Sequence, residues 1–432
     1  MTPGAAVSYS HRFSQWLSPF LLLAVQAVAW ATCNAAAQAE QCPNRPAGRL
    51  EADDSPYCPV PGRIGIVPEE QDAISWSYPP KCMSQTPRSQ DGPRLDCLFT
   101  STTFRNGHGT SIVTSSTTAS HLAGLEAFED APTPVIRDAL GPAYEVVPFP
   151  GKRTGVVAKR RIRRGEIFMV DLPALFISVS FLADAKPHHR RRMLKQAINQ
   201  LPEVTRSRVY GLPRGSAEYE VDAILGPNAH TVMVGDGEVH VGLFTEVARI
   251  NHSCRPNAYF RFSERRLTVE VVAYHAIEPG DEITLSYVPL ETPSSTRRQY
   301  LKSHWGFDCT CTLCTGPATD LEESESWRRK IKSLRETIAN ARSEGFYHDA
   351  IVMTEEWLMF AEWDMQPPLM AEYHDTLANL YFLKGDMVNA TRHARMAVDE
   401  WVRLGSVDDE PLEKARLLLR RLEAMDGRRR GG

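Results

Sequence analysis

Residues 249–257 read Arg-Ile-Asn-His-Ser-Cys-Arg-Pro-Asn. Asn251, His252, Ser253 and Cys254 stand side by side, yet the cysteines nearest to Cys254 along the chain are Cys97 and Cys309. A cysteine so isolated is either an inert buried thiol or one arm of a site completed from a distant segment. The stretch CTCTLC supplies such a segment, with Cys309, Cys311 and Cys314. It offers three close thiolates, and a structural zinc site takes four ligands in a tetrahedron. No histidine or cysteine follows Cys314 within a few residues. Cys254 is therefore the most economical fourth arm. A disulfide among the four is the alternative, and strain between close sequence neighbours weighs against it.

Around these residues the chain reads as short strands broken by turns. YEVVPF, TGVVA, EIFMV, RLTVEVVAY and EITLSYV follow one another from Tyr144 onward. In RLTVEVVAY, Leu267, Val269 and Val271 alternate with Thr268 and Glu270, which is the strand period. Glu278-Pro279-Gly280-Asp281 marks a turn. The stretch from His188 to about Ala229 reads as mostly helical. Later the period changes: Met370, Tyr373, Leu377, Leu380 and Tyr381 step by three and four, Gly385-Asp386 interrupts, and Met387, Ala390, Ala394, Ala397, Trp401 and Leu404 resume. That is a pair of amphipathic helices joined by a tight turn, either a tetratricopeptide-like hairpin or part of a helical bundle.

The amino-terminal third is different. Trp16 to Trp30 is apolar and is followed by ATCNAAAQAE, which fits a secretory signal peptide over residues 1–37. Spanning a membrane takes about 20 apolar residues, so no spanning segment is expected in the mature chain. Residues 38–142 are rich in Pro, Ser and Thr, and SIVTSSTTAS (residues 111–120) reads as a polar linker. Cys42, Cys58, Cys82 and Cys97 form an even set suited to two disulfides of unspecified pairing, or to free thiols. A formal net charge of −4 over 432 residues excludes nucleic-acid binding driven by bulk charge.

Three motifs in order, NHSCRPN, GDEITLSY and WGFDCTCTLC, together resemble a SET domain with its post-SET zinc motif. The resemblance runs from about Tyr144 to Thr315 and is strongest to the SMYD-like branch, including fungal SET-domain proteins. The MYND finger of that branch has no counterpart, because no cysteine lies between Cys97 and Cys254. The resemblance implies an α+β fold: a β-rich SET domain over residues 143–288, a post-SET motif over 289–316, and an all-α, TPR-like region over 321–425. It implies a protein-lysine methyltransferase that uses S-adenosylmethionine and a structural zinc ion held by Cys254, Cys309, Cys311 and Cys314. PGKRTGVVAKRRIRRGE, from Pro150, is similar to the opening SET motif, so Gly151, Lys152, Thr154 and Gly155 are implied cofactor contacts. Arg153 stands where the family commonly has a further glycine. Asn251 and His252 match the family's cofactor-contacting pair, Phe307 its aromatic near the adenine, and Asn228 an asparagine near the cofactor. Tyr287 matches the catalytic tyrosine, which also borders the cofactor.

The implied partners are a protein substrate, histone or non-histone, and a protein bound by the helical region; no sequence-specific nucleic-acid contact is expected. The alternative function is a catalytically inactive SET-fold interaction protein acting through its helices. The signal-like start points to the secretory pathway, whereas zinc thiolates and histone substrates point to nucleus or cytoplasm.

Overall fold

The computed structural model describes residues 76–85, 94–129, 141–149, 151–235, 237–364, 368–405 and 410–430. In chain order the strands and helices begin with β1 (Lys81–Gln85), β2 (Arg94–Ser101), β3 (Thr110–Ser115) and α1 (Ser116–Ala123). Next come β4 (Tyr144–Phe149), β5 (Lys152–Ala158), β6 (Ile167–Asp171) and β7 (Pro173–Ser178). Helices α2 (Pro187–Gln200), α3 (Glu203–Tyr210) and α4 (Glu220–Asn228) precede β8 (Ala229–Val234) and β9 (Glu238–Phe244). Then follow β10 (Asn251–His252), β11 (Ala258–Ser263), β12 (Thr268–Ala273), β13 (Glu282–Leu285) and α5 (Ser294–Tyr300). Five helices complete the chain: α6 (Ala318–Ser343), α7 (Tyr347–Trp363), α8 (Pro368–Lys384), α9 (Met387–Leu404) and α10 (Glu410–Arg430). Among the described residues, no helix is long and apolar enough to cross a membrane.

Three sheets form. One runs β1-β2-β3-β7-β9-β8, a second β10-β13-β5-β4, and a third β11-β12-β6. The strands read from sequence are all present. The alternation in RLTVEVVAY does not mark a half-solvated strand, however. All six residues of β12 are buried, and it is the central strand between β11 and β6. Its polar residue Glu270 is buried only with partners, Arg261 at 2.8 Å and Arg266 at 3.4 Å.

The linker reading of residues 111–120 is corrected. Ser111 to Ser115 lie in β3, where Ile112 and Val113 are fully buried. Ser115 then caps α1 by accepting the Thr118 N–H at 3.1 Å. Here the small hydroxyls are core partners rather than solvated groups. Ser111 donates to the Ala197 carbonyl of α2, and Thr114 meets His240 of β9. Cys82 and Cys97 are cross-strand partners in β1 and β2 and are disulfide-bonded. Cys42, Cys58 and the signal-like stretch lie outside the described residues.

The helical pair read from sequence is α8 and α9. Gly385 turns at a φ of +87°, which favours glycine, and the Asp386 side chain caps α9 through the Asn389 N–H. Tyr373, Leu377, Leu380, Ala390, Ala394 and Ala397 form its buried side. Among the described residues the helical region docks on the β-rich part through several contacts, including a bond from Arg261 to the Gly405 carbonyl. Arg164 holds Glu400 of α9 through two bonds of 3.1 and 2.7 Å, and α6 reaches the cysteine segment described next.

Candidate functional site

The site is assembled where two motifs run side by side. β10 pairs with β13 in parallel, placing Asn251 beside Thr284 and His252 beside Leu285. Asn257 secures the loop after Cys254: its Nδ2 donates to the Glu282 carbonyl and its Oδ1 accepts the Thr284 N–H, at 2.9 and 2.8 Å. The approach to Asn251 is fixed by Asp171, whose carboxylate accepts N–H groups from Leu172, Glu246 and Val247. Burial pushes this carboxyl up to about 6 despite those bonds.

Asn251 directs both amide hydrogens into the protein, to the Thr154 carbonyl at 2.9 Å and Glu282 Oε1 at 2.8 Å. Two acceptors on one nitrogen fix the amide orientation. Its Oδ1 is left as an acceptor without a partner among the described residues. Gly155 is what allows this approach. A Cβ there would lie 2.8 Å from Asn251 Nδ2 and 2.6 Å from the Phe149 ring. Gly151, at a φ of +73°, makes the turn into β5, which begins at Lys152.

His252 joins two parts of the site. Its Nδ1 accepts the Tyr287 backbone N–H at 3.0 Å, which leaves the proton of the neutral ring on Nε2. Nε2 in turn lies 3.4 Å from Cys254 Sγ. The histidine thus connects Tyr287 to the thiol cluster through its two nitrogens. The Tyr287 hydroxyl donates to the Ile250 carbonyl at 2.8 Å, which commits its proton and leaves its oxygen able to accept. Burial, and secondarily Glu282, push this phenol above its ordinary value. It is therefore a neutral acceptor and not a base.

Aromatic rings surround Tyr287: His252 at 5.4 Å, Trp305 at 5.2 Å and Phe307 at 6.4 Å between centroids. Trp305 ends a π-helical turn, Leu301–Trp305, closed by Gly306 at a φ of +76°. Its indole N–H donates to the Pro227 carbonyl at 3.1 Å, bringing the end of α4 to this wall. Asn228, the next residue, is buried, and its amide hydrogens go to the Pro213 and Ile224 carbonyls. Its side chain makes no hydrogen bond to Asn251 or Tyr287.

The thiols of Cys254, Cys309, Cys311 and Cys314 all lie within 4.8 Å of one another. Cys254 is buried, with its sulfur 3.8 Å from that of Cys309 and 3.6 Å from that of Cys314. Four thiols at such separations fit a tetrahedral ion of zinc type. The buried guanidinium of Arg297 donates its Nε–H to Cys254 Sγ at 3.1 Å, a partner suited to a thiolate. Glu282, Asn257, Trp305 and Arg297 were not singled out from sequence. Glu282 and Asn257 do lie inside the quoted motifs, and Trp305 opens WGFDCTCTLC.

The NHSC stretch thus pairs in parallel with the GDEITLSY strand beside a four-thiol cluster, and residues 153–288 match the SET domain family. Beyond that match, the chain shows similarity to lysine methyltransferases of the Set5 and SMYD types. It is similar to the histone-lysine N-methyltransferase set5 of Schizosaccharomyces pombe, 28% identical over 187 residues, covering 43% of this chain and 55% of that protein. It is also similar to the histone-lysine N-methyltransferase Smyd1 of Mus musculus, 27% identical over 197 residues (38% of this chain, 39% of that protein). With the N-lysine methyltransferase SMYD2 of Gallus gallus the identity is 33% over 112 residues, 25% of this chain and 24% of that protein. The chain spans about half the length of the first of these relatives and less of the other two.

Proposed function

We propose that the chain is a protein-lysine N-methyltransferase that uses S-adenosylmethionine and acts on a lysine ε-amine of a histone or another protein. The observation that carries the reading is the presence in one site of Asn251, whose Oδ1 remains an open acceptor, and of Tyr287, whose hydroxyl is oriented by the Ile250 carbonyl within a cluster of aromatic rings. The donor set fits the cofactor. Asn251 Oδ1 suits an ammonium group, the Glu282 carboxylate beneath it suits a cation, and Phe307 offers a ring face for a purine. The relatives' names, histone-lysine and N-lysine methyltransferase, support the same class.

S-adenosylmethionine supplies an electrophilic methyl group on a sulfonium. The residues of the chain do the rest. The aromatic wall of Trp305, Phe307 and Tyr287 desolvates an arriving lysine and so favours its neutral amine. Tyr287 Oη accepts an N–H of that amine and aligns the nitrogen lone pair, which is catalysis by positioning. Cys254, Cys309, Cys311 and Cys314 would hold a structural zinc ion, which would tie the segment of His252 to that of Phe307. The signal-like start, together with the Cys82–Cys97 bridge, supports a secretory location, which amino-terminal sequencing of the native protein tests.

The test of function is calorimetric titration with S-adenosylmethionine, followed by incubation with isotopically labelled cofactor and mixed protein. Submillimolar binding and label in methyl-lysine support the proposal. Binding without any label on protein would instead favour an inactive SET-fold interaction protein.

A further inference from the structure

The helical region supplies the outer shell of the four-cysteine cluster. Four thiolates around a divalent cation leave about two negative charges in a partly buried site, which is costly without compensation. Two almost wholly buried arginines offset part of this cost by hydrogen bonding to Cys254, Arg297 (1% exposed) at its sulfur and Arg328 (2% exposed) at its carbonyl. Arg297 of α5 donates Nε–H to Cys254 Sγ at 3.1 Å, Nη1 to the Thr292 carbonyl at 2.5 Å, and Nη2 to Glu325 Oε1 at 3.2 Å. Glu325 belongs to α6, and its other oxygen accepts the Ser294 N–H at 2.8 Å, so α6 also holds the first turn of α5.

One helical turn along α6, Arg328 donates to the Cys254 carbonyl at 2.8 Å and to Asp364 Oδ2 at 2.6 Å. Asp364, at the end of α7, is itself buried and accepts the Ser324 hydroxyl at 2.5 Å. Cys254 is therefore held at its sulfur by Arg297 and at its carbonyl by Arg328, and both arginines are oriented by carboxylates on α6 and α7.

We infer that Arg297 and Arg328 are positioning residues for the metal site, and that α6 and α7 through them set how fast the ion is released. The inference rests on the zinc reading above. It makes the helical region part of the cofactor pocket's scaffold rather than an appended module. A buried hydrogen bond to a ligating sulfur orients the ligand and tunes its hold on the metal, and removing such partners typically costs 10–100-fold in affinity.

The experiment follows zinc transfer from the full chain to a chromogenic chelator, for wild type, Arg297→Gln, Arg297→Lys and Asp364→Asn. Far-ultraviolet dichroism in the same buffer reports global unfolding. We expect one zinc per wild-type chain and release at least tenfold faster from Arg297→Gln, with unfolding no faster. Asp364→Asn, which acts on Cys254 through Arg328, should release severalfold faster. If Arg297→Gln does not fold, Arg297→Lys carries the test, since it keeps a cation but loses the fork that joins Cys254 to Glu325. Wild-type release rates in the folded variants overturn this inference alone. A wild-type chain without zinc overturns the metal reading and the inference with it.

Discussion

Gly155→Ala probes the pocket through one added carbon. The backbone there is not in the left-handed region, so alanine meets no conformational penalty. Its Cβ would lie 2.6 Å from Phe149 Cδ2 and 2.8 Å from Asn251 Nδ2. The half-buried Phe149 ring can rotate away, but the Asn251 amide is pinned by bonds of 2.9 and 2.8 Å. Relief to an ordinary contact requires a shift of roughly 0.6 Å, which takes both bonds to the end of the useful range. The bond to the Glu282 carboxylate is worth about 1.5–3 kcal/mol and that to the Thr154 carbonyl about 1 kcal/mol. Gly→Ala returns about 0.4–1 kcal/mol by stiffening the unfolded chain. The net expectation is a loss of about 2–3 kcal/mol in denaturant unfolding, with S-adenosylmethionine bound at least tenfold more weakly. In an Asn251→Ala background the same substitution should cost at least about 1 kcal/mol less, because nothing remains to be displaced. Additive costs, or wild-type cofactor affinity in Gly155→Ala, would refute this picture of the pocket.

Further predictions concern metal and pH. Cys254→Ser should lower bound zinc from one per chain to below half and weaken S-adenosylmethionine at least tenfold, about 1.4 kcal/mol, while α6–α10 stay helical by circular dichroism. Normal zinc and cofactor binding in this variant would contradict the clamp through His252 and Phe307. Burial lowers His108, His230 and His393 to about 4, so their neutral forms contribute stability that is complete above about pH 6.5 and is lost as pH falls toward 4. Asp171, raised to about 6, acts in the opposite sense, its contribution being complete below about pH 4 and lost as pH rises through 6. The unfolding midpoint should therefore fall from pH 6.5 to 4, and fall more steeply in Asp171→Asn; a flat profile in both proteins would contradict these assignments.

Much of the site was legible because its chemistry is local in sequence. Asn251, His252 and Cys254 occupy one short stretch, and Tyr287 lies two residues past a strand whose Ile283 and Leu285 face the core. The three remaining thiols lie within six residues, from Cys309 to Cys314. What was not legible depends on distance along the chain. Arg328 meets the Cys254 carbonyl across 74 residues, and no pattern in α6 separates it from the exposed Arg329 beside it. Trp305 is aimed at Tyr287 by a π-helical turn that leaves no period to read. The six-stranded sheet was missed at residues 111–120 because serine and threonine read as solvated until a partner such as His240 is in place. His252 matched a cofactor contact, yet the fold gives both its nitrogens protein partners. That assignment depends on which strand lies alongside, and the motif does not encode it.

The most direct test of the central claim compares wild type with Tyr287→Phe in two assays on the same preparations. One is calorimetric affinity for S-adenosylmethionine, and the other is the rate of methyl-lysine formation on protein. The substitution leaves the ring in its aromatic wall and removes the hydroxyl that the Ile250 carbonyl orients. Only contacts made in the transition state change the chemical step. The account predicts cofactor affinity within about threefold of wild type and turnover reduced by about a hundredfold or more. Equal turnover in the two proteins, or no methyl-lysine from a wild-type chain that binds the cofactor, would contradict it.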